Sequence, residues 1–119
     1  MTPFTLTTFV AGCILSLIGG ITIYYPPKKI NNIYGYRTKA SMRNQQTWEE
    51  GNRYCSKQVL YCGLILLTIG ILSVLSSSIG KTSIHIATIL TIILSILPVL
   101  STEIHLKRVF DKEGNRRIE

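Results

Sequence analysis

Hydrophobic and polar positions in this chain segregate into blocks. Phe4 to Tyr25, FTLTTFVAGCILSLIGGITIYY, carries no charge and stops at Pro26-Pro27, where the missing amide donors end a helix. A second block runs from Val59 to Ile79, VLYCGLILLTIGILSVLSSSI, and a third from Ser83 to Leu100, SIHIATILTIILSILPVL. About 20 such residues cross roughly 30 Å of hydrocarbon. The pattern predicts an all-α integral membrane three-helix bundle with spans over 4–25, 59–79 and 83–101. A loop and helix over 26–58 and a tail over 102–119 complete a single domain covering 1–119. The first block reads as a span and not a cleaved signal peptide, because it has no basic leading region, is too long, and lacks a small-x-small site before the prolines.

Charge fixes the predicted orientation. The chain has 119 residues, 46% of them hydrophobic, and a net charge of +7, which leaves no room for a separate catalytic domain. Seven basic residues (Lys28, Lys29, Arg37, Lys39, Arg43, Arg53, Lys57) lie between spans one and two, and Lys107, Arg108, Lys112, Arg116 and Arg117 follow span three. The turn between spans two and three has only Lys81. Cytoplasmic loops are the ones enriched in Lys and Arg, so the N-terminus is expected outside and the C-terminus inside. Basic flanks are thereby explained by topology and by attraction to the lipid bilayer's anionic headgroups, and no direct nucleic-acid partner is expected.

Candidate chemistry is sparse. Cys13, Cys55 and Cys62 fit no metal or redox spacing, and on one helix Cys55 and Cys62 would lie about 10 Å apart, beyond disulfide reach. His85 and His105, roughly 30 Å apart at helical rise, share no metal. Glu103 and His105 are an acid and an imidazole close together near the membrane, read as a solvated helix end or a proton-handling pair. No catalytic constellation, cofactor or metal site is expected, and no acidic or basic side chain lies inside the spans proper, which counts against a proton-coupled transporter.

The stretch YGYRTKASMRNQQTWEEGNRY, residues 34–54, carries helix signals: Thr47 with Glu50 as a capping box, and Ser41 and Asn44 as earlier N-cap candidates. At 100° per residue, Ser41, Asn44, Trp48, Asn52 and Cys55 share one face, with Arg43, Glu50, Arg53 and Lys57 opposite. The same face continues through Cys62, Gly63, Leu66, Gly70, Ser73 and Ser77. Span two therefore reads as part of one helix of about 55 Å, extended on the cytoplasmic side. Gly12, Ser16 and Gly20 in span one and Ala87, Thr91 and Ser95 in span three form matching stripes with Gly63 and Gly70, as close helix packing requires; leftover small surface leaves room for a homo-oligomer. Asn31, Tyr34, Gly35, Tyr36, Arg37 and Thr38 are expected to join Ser41, Asn44, Trp48 and Asn52 in a cytoplasmic cap. That cap is either a self-packed closure of the bundle or a docking surface.

The segment PPKKINNIYGYRTKASMRNQQTWEEGNRY resembles the signature of the SdpI family of bacterial membrane proteins through Pro27, Ile30-Asn31, Tyr34 to Thr38, Ser41, Asn44, Trp48 and Asn52. Members often carry Ala where this chain has Gly51, a change that loosens the helix without turning its face. The family's named member is larger, with additional spans, and matches here through its C-terminal part. The resemblance implies immunity of the producing cell to a secreted membrane-active peptide toxin, signalling through a cytosolic repressor-type protein, and a place in the bacterial cell membrane. Readings of another class are a small transporter subunit and a membrane adaptor for a cytosolic partner.

Overall fold

A computed structural model describes residues 2–117. Four helices follow in order: α1 (Pro3–Tyr24), α2 (Gln45–Leu75), α3 (Ser77–Gly80) and α4 (Ile84–Val109). Three of them, α1, α2 and α4, are long and apolar enough to cross a membrane. Their outer faces carry Leu17, Leu75 and Ile89 among many exposed aliphatic side chains, which suits lipid and would be costly in water.

Local chemistry sets each boundary. Thr2 caps α1 through the Thr5 amide, with Pro3 in the first turn, where its missing N–H costs nothing. At the start of α2 the structure selects one of the N-cap candidates, Asn44, over Ser41 and over a Thr47–Glu50 capping box. Asn44 Oδ1 accepts from the Thr47 amide, and the Asn44 backbone amide donates to the Thr47 hydroxyl, which together form a capping box. Ser41 lies before the helix, in a turn closed by the Met42 amide on the Thr38 carbonyl, and Glu50 is engaged elsewhere. The other end differs from the sequence expectation. Ser76 is extended (φ −120°, ψ 115°) and breaks α2 from the single turn of α3, so exposed Ser77 falls outside the stripe. Residues 102–109, expected as tail, continue α4.

α1 runs antiparallel to α2 along glycines. A Cβ on Gly12 would come within 2.5 Å of the Leu67 amide nitrogen, and one on Gly63 within 2.4 Å of that of Ser16. Gly70 faces Phe9. Gly20 does not share the contact: nothing lies within 4 Å of its Cβ position, and Gly19 packs on Leu60 instead. The predicted four-residue spacing drifted one position off the helix face. At the far end Thr5 and Ser73 share a buried 2.6 Å hydroxyl contact. On α4, Ala87 is buried and Thr91 half-buried, whereas Ser95 is exposed and bonds back to the Thr91 carbonyl. Pro98, Thr102 and Leu106 carry the buried face onward.

Candidate functional site

At the end of the molecule where α1 finishes and α2 begins, residues 25–44 fold into a knot against α2 and α4. Asn31 starts it: its Oδ1 accepts from the amides of Ile33 and Tyr34 (2.9 and 2.7 Å), and its Nδ2 donates to the Lys29 carbonyl. Side-chain amides close turns in this way. The Tyr34 hydroxyl donates to the Tyr25 carbonyl at 2.5 Å, tying the loop to the end of α1. Gly35 then reverses the chain at φ 105°. A side chain there would be strained, and its Cβ would approach Asn52 Oδ1 to 2.5 Å and Pro27 Cγ to 2.6 Å.

Helix α2 supplies the receiving groups. Asn52 Oδ1 accepts from the Tyr36 amide at 2.5 Å, and Nδ2 donates to the Tyr36 and Trp48 carbonyls at 3.2 and 3.0 Å. One side-chain amide thus satisfies both backbone groups of a loop residue. Trp48 is fully buried and its Nε1 donates to the Pro27 carbonyl at 2.6 Å. Buried backbone groups need such partners. Ser41, also fully buried, donates to the Tyr36 and Thr38 carbonyls and accepts from the Thr38 amide.

Two tethers to α4 were absent from the sequence reading. Glu103 Oε1 accepts from the hydroxyls of Tyr36 and Thr38, the latter at 2.6 Å. Burial, followed by the Glu103 hydrogen bond, pushes the Tyr36 phenol far above its ordinary range and keeps it neutral. Glu103 is therefore a latch on the loop and not a solvated helix end. Glu50, expected opposite the Trp48 face, is nearly buried between helices, where Arg53 and His105 approach it. His105 stacks on Tyr54, rings 4.0 Å apart and 4° from parallel.

The tail closes the knot from below. Phe110 is buried and the chain turns at Gly114, so that the Arg117 amide returns to the Val109 carbonyl at 2.8 Å. Asn44 Nδ2 donates to the Gly114 carbonyl at 2.7 Å, docking the tail on the N-cap of α2. The predicted cap residues Asn31, Tyr34, Gly35, Tyr36, Thr38, Ser41, Asn44, Trp48 and Asn52 meet in this one network. Arg37 differs: it is exposed, donates to the Asn32 carbonyl, and forms no ion pair among the described residues.

Beside the knot, a cleft of about 450 Å³ opens between α1 and α2, walled by Ile18, Ile21, Ile33 and Val59 and sharing Tyr36 and Asn52 with the network. Among the described residues no cluster of His, Cys, Asp and Glu could hold a metal ion.

Three long apolar helices tied at one end by a polar knot define a multi-pass membrane protein. The family model of the SdpI/YfhL protein family matches residues 28–102, which take in the loop from Asn31 through Asn52 and stop one residue short of Glu103; the chain belongs to that family. It is also 32% identical over 112 residues to the "Uncharacterized protein YfhL" of Bacillus subtilis (strain 168), a match covering 94% of this chain and 96% of the relative. No solved structure matches.

Proposed function

We propose that this chain is an immunity-type protein of the bacterial cell membrane, protecting the cell against a membrane-active peptide and signalling its presence to a cytosolic regulator. Family membership supports the first part. In this reading residues 1–119 act as one three-helix domain with the N-terminus outside. The knot then faces the cytoplasm as an extension of the second span, and the Lys81 turn faces outward. A peptide arriving from outside meets that turn and the spans, while a cytosolic partner meets the knot.

One observation carries the coupling. Helix α2 is continuous from Gln45 to Leu75, with Ser73 bonded to α1 at one end and Trp48 and Asn52 organising the loop at the other. A ligand that binds two packings of α1 against α2 with different affinity shifts the loop by the same free energy. Arg37, the exposed cation of the signature, is the side chain left to make contact outside the knot.

Arg37→Ala is therefore the discriminating variant, because it removes a surface group and leaves the buried bonds intact. Trp48→Ala also deletes a fully buried ring, and such truncations cost about 3–5 kcal/mol. In cells challenged with the peptide toxin, Arg37→Ala is expected to reduce protection to that of cells without the protein, at unchanged membrane levels. Full protection by Arg37→Ala would remove the role assigned to the exposed cap.

A further inference from the structure

We propose that the cleft enclosed by residues 39–47, the end of α4 and the folded-back tail is a binding site for the headgroup of one anionic phospholipid. The cleft measures about 620 Å³, and Lys39, Arg43, Lys107, Lys112 and Arg117 line it. Two acids share the lining, Glu103 and Asp111, and both are engaged within the fold. Glu103 Oε1 accepts from the Tyr36 and Thr38 hydroxyls, and Asp111 Oδ1 accepts from the amides of Glu113 and Asn115 at 2.9 and 3.0 Å. Among the described residues the ion pairs lie elsewhere, on Glu50, and none of the five cations forms one. Set against Glu103 and Asp111 they leave the cleft net positive, a self-repulsion that a bound anion relieves.

Two of the five are held in place. Arg43 Nη1 donates to the Asp111 carbonyl at 3.3 Å, and Arg117 Nε donates to the Lys107 and Phe110 carbonyls at 3.0 and 3.1 Å. Each guanidinium keeps further N–H donors in a planar fork suited to phosphate.

Depth selects a lipid over a soluble anion or an acidic cytosolic segment. The apolar run of α4 ends at Leu100, so Glu103 and Leu106 lie about 5 and 9 Å beyond it at helical rise. Headgroups add roughly 5–8 Å to each side of the hydrocarbon, so the Glu103 rim of the cleft lies in that layer and Leu106 just past its outer edge, from where Lys side chains reach back toward it. Ala40, buried Leu106 and buried Phe110 give the cleft an apolar floor, which a glycerol backbone and its first methylenes can cover and a purely charged ligand cannot use. The site does not depend on which way the chain crosses the membrane.

Native mass spectrometry of the full chain from micelles doped with phosphatidylglycerol or phosphatidylcholine tests the site. Wild type is expected to retain one phosphatidylglycerol and no phosphatidylcholine. Lys39→Gln, Lys107→Gln and Lys112→Gln combined should weaken that retention about tenfold or more, given the attraction of each cation to an anionic surface. Lys28→Gln, Lys29→Gln and Lys57→Gln combined remove equal charge outside the cleft and should leave it unchanged. Circular dichroism checks that each variant is folded, and the single change Lys112→Glu at an exposed position serves if the triple variant is not. Equal loss in both triples, equal retention of the two lipids, or displacement of the lipid by inorganic phosphate or a Glu-rich peptide at matched concentration would each overturn the proposal.

Discussion

Glu50 concentrates the residue-level electrostatics of the knot. Burial works to raise its carboxyl, but the hydrogen bonds and charges of Arg53 and His105 outweigh burial and hold it below the ordinary value of 4.5. A depressed carboxyl binds its proton more readily in the unfolded chain, so its contribution is full above about 4.5 and is lost as pH falls through the lower folded value. Unfolding in detergent followed from pH 7 to pH 3 should show stability falling over the acid end, with Glu50→Gln weaker at neutral pH and flatter below it. Parallel curves would exclude this cluster as the source. Glu50 and Glu103 mark what the sequence concealed. Trp48 and Asn52 were legible because helical periodicity puts them on one face, whereas the partners of Glu103 lie on a loop 65 and more residues away, and no local spacing encodes such a contact.

At the scale of elements, the α1–α2 contact depends on glycine at particular phases of the helix. Gly63→Val places a branched side chain where even a Cβ meets the Ser16 amide at 2.4 Å, and overpacking of this kind costs about 1–3 kcal/mol or more. Gly20→Ala meets nothing within 4 Å and should gain up to about 1 kcal/mol from helix propensity alone. Denaturant titration in micelles measures both; comparable losses in the two variants would contradict the assigned contact face. The stripe on α2 was readable from Cys62 to Ser73 because it follows helical periodicity without a break. Its end was not, since the extended Ser76 that separates α3 follows from no proline or glycine. The adjacent Gly19 and Gly20 differ by 100° of rotation, and only the packed partner distinguishes them.

The whole molecule is 51 Å long and 26 by 22 Å across, enough to pass through hydrocarbon and both headgroup layers, which together measure about 40–45 Å. The three spans were legible in composition, but the ends of α2 and α4 and the folded-back tail were not, the tail because it rests on Gly114 at φ 85° and a single long-range bond to Asn44. The proposed orientation is checked by cysteines placed at Lys81 and Lys112 and exposed to a membrane-impermeant maleimide in intact cells. Position 81 should be modified relative to the parent chain, and position 112 only after the membrane is opened. The reverse pattern would invert the topology.

The bond between Asn44 and the Gly114 carbonyl also fixes an order of assembly. Asn44 Oδ1 finds its partner within α2, in the Thr47 amide, but Nδ2 finds its own only beyond the whole of α4. That part of the knot can therefore close only after the chain beyond α4 has been made.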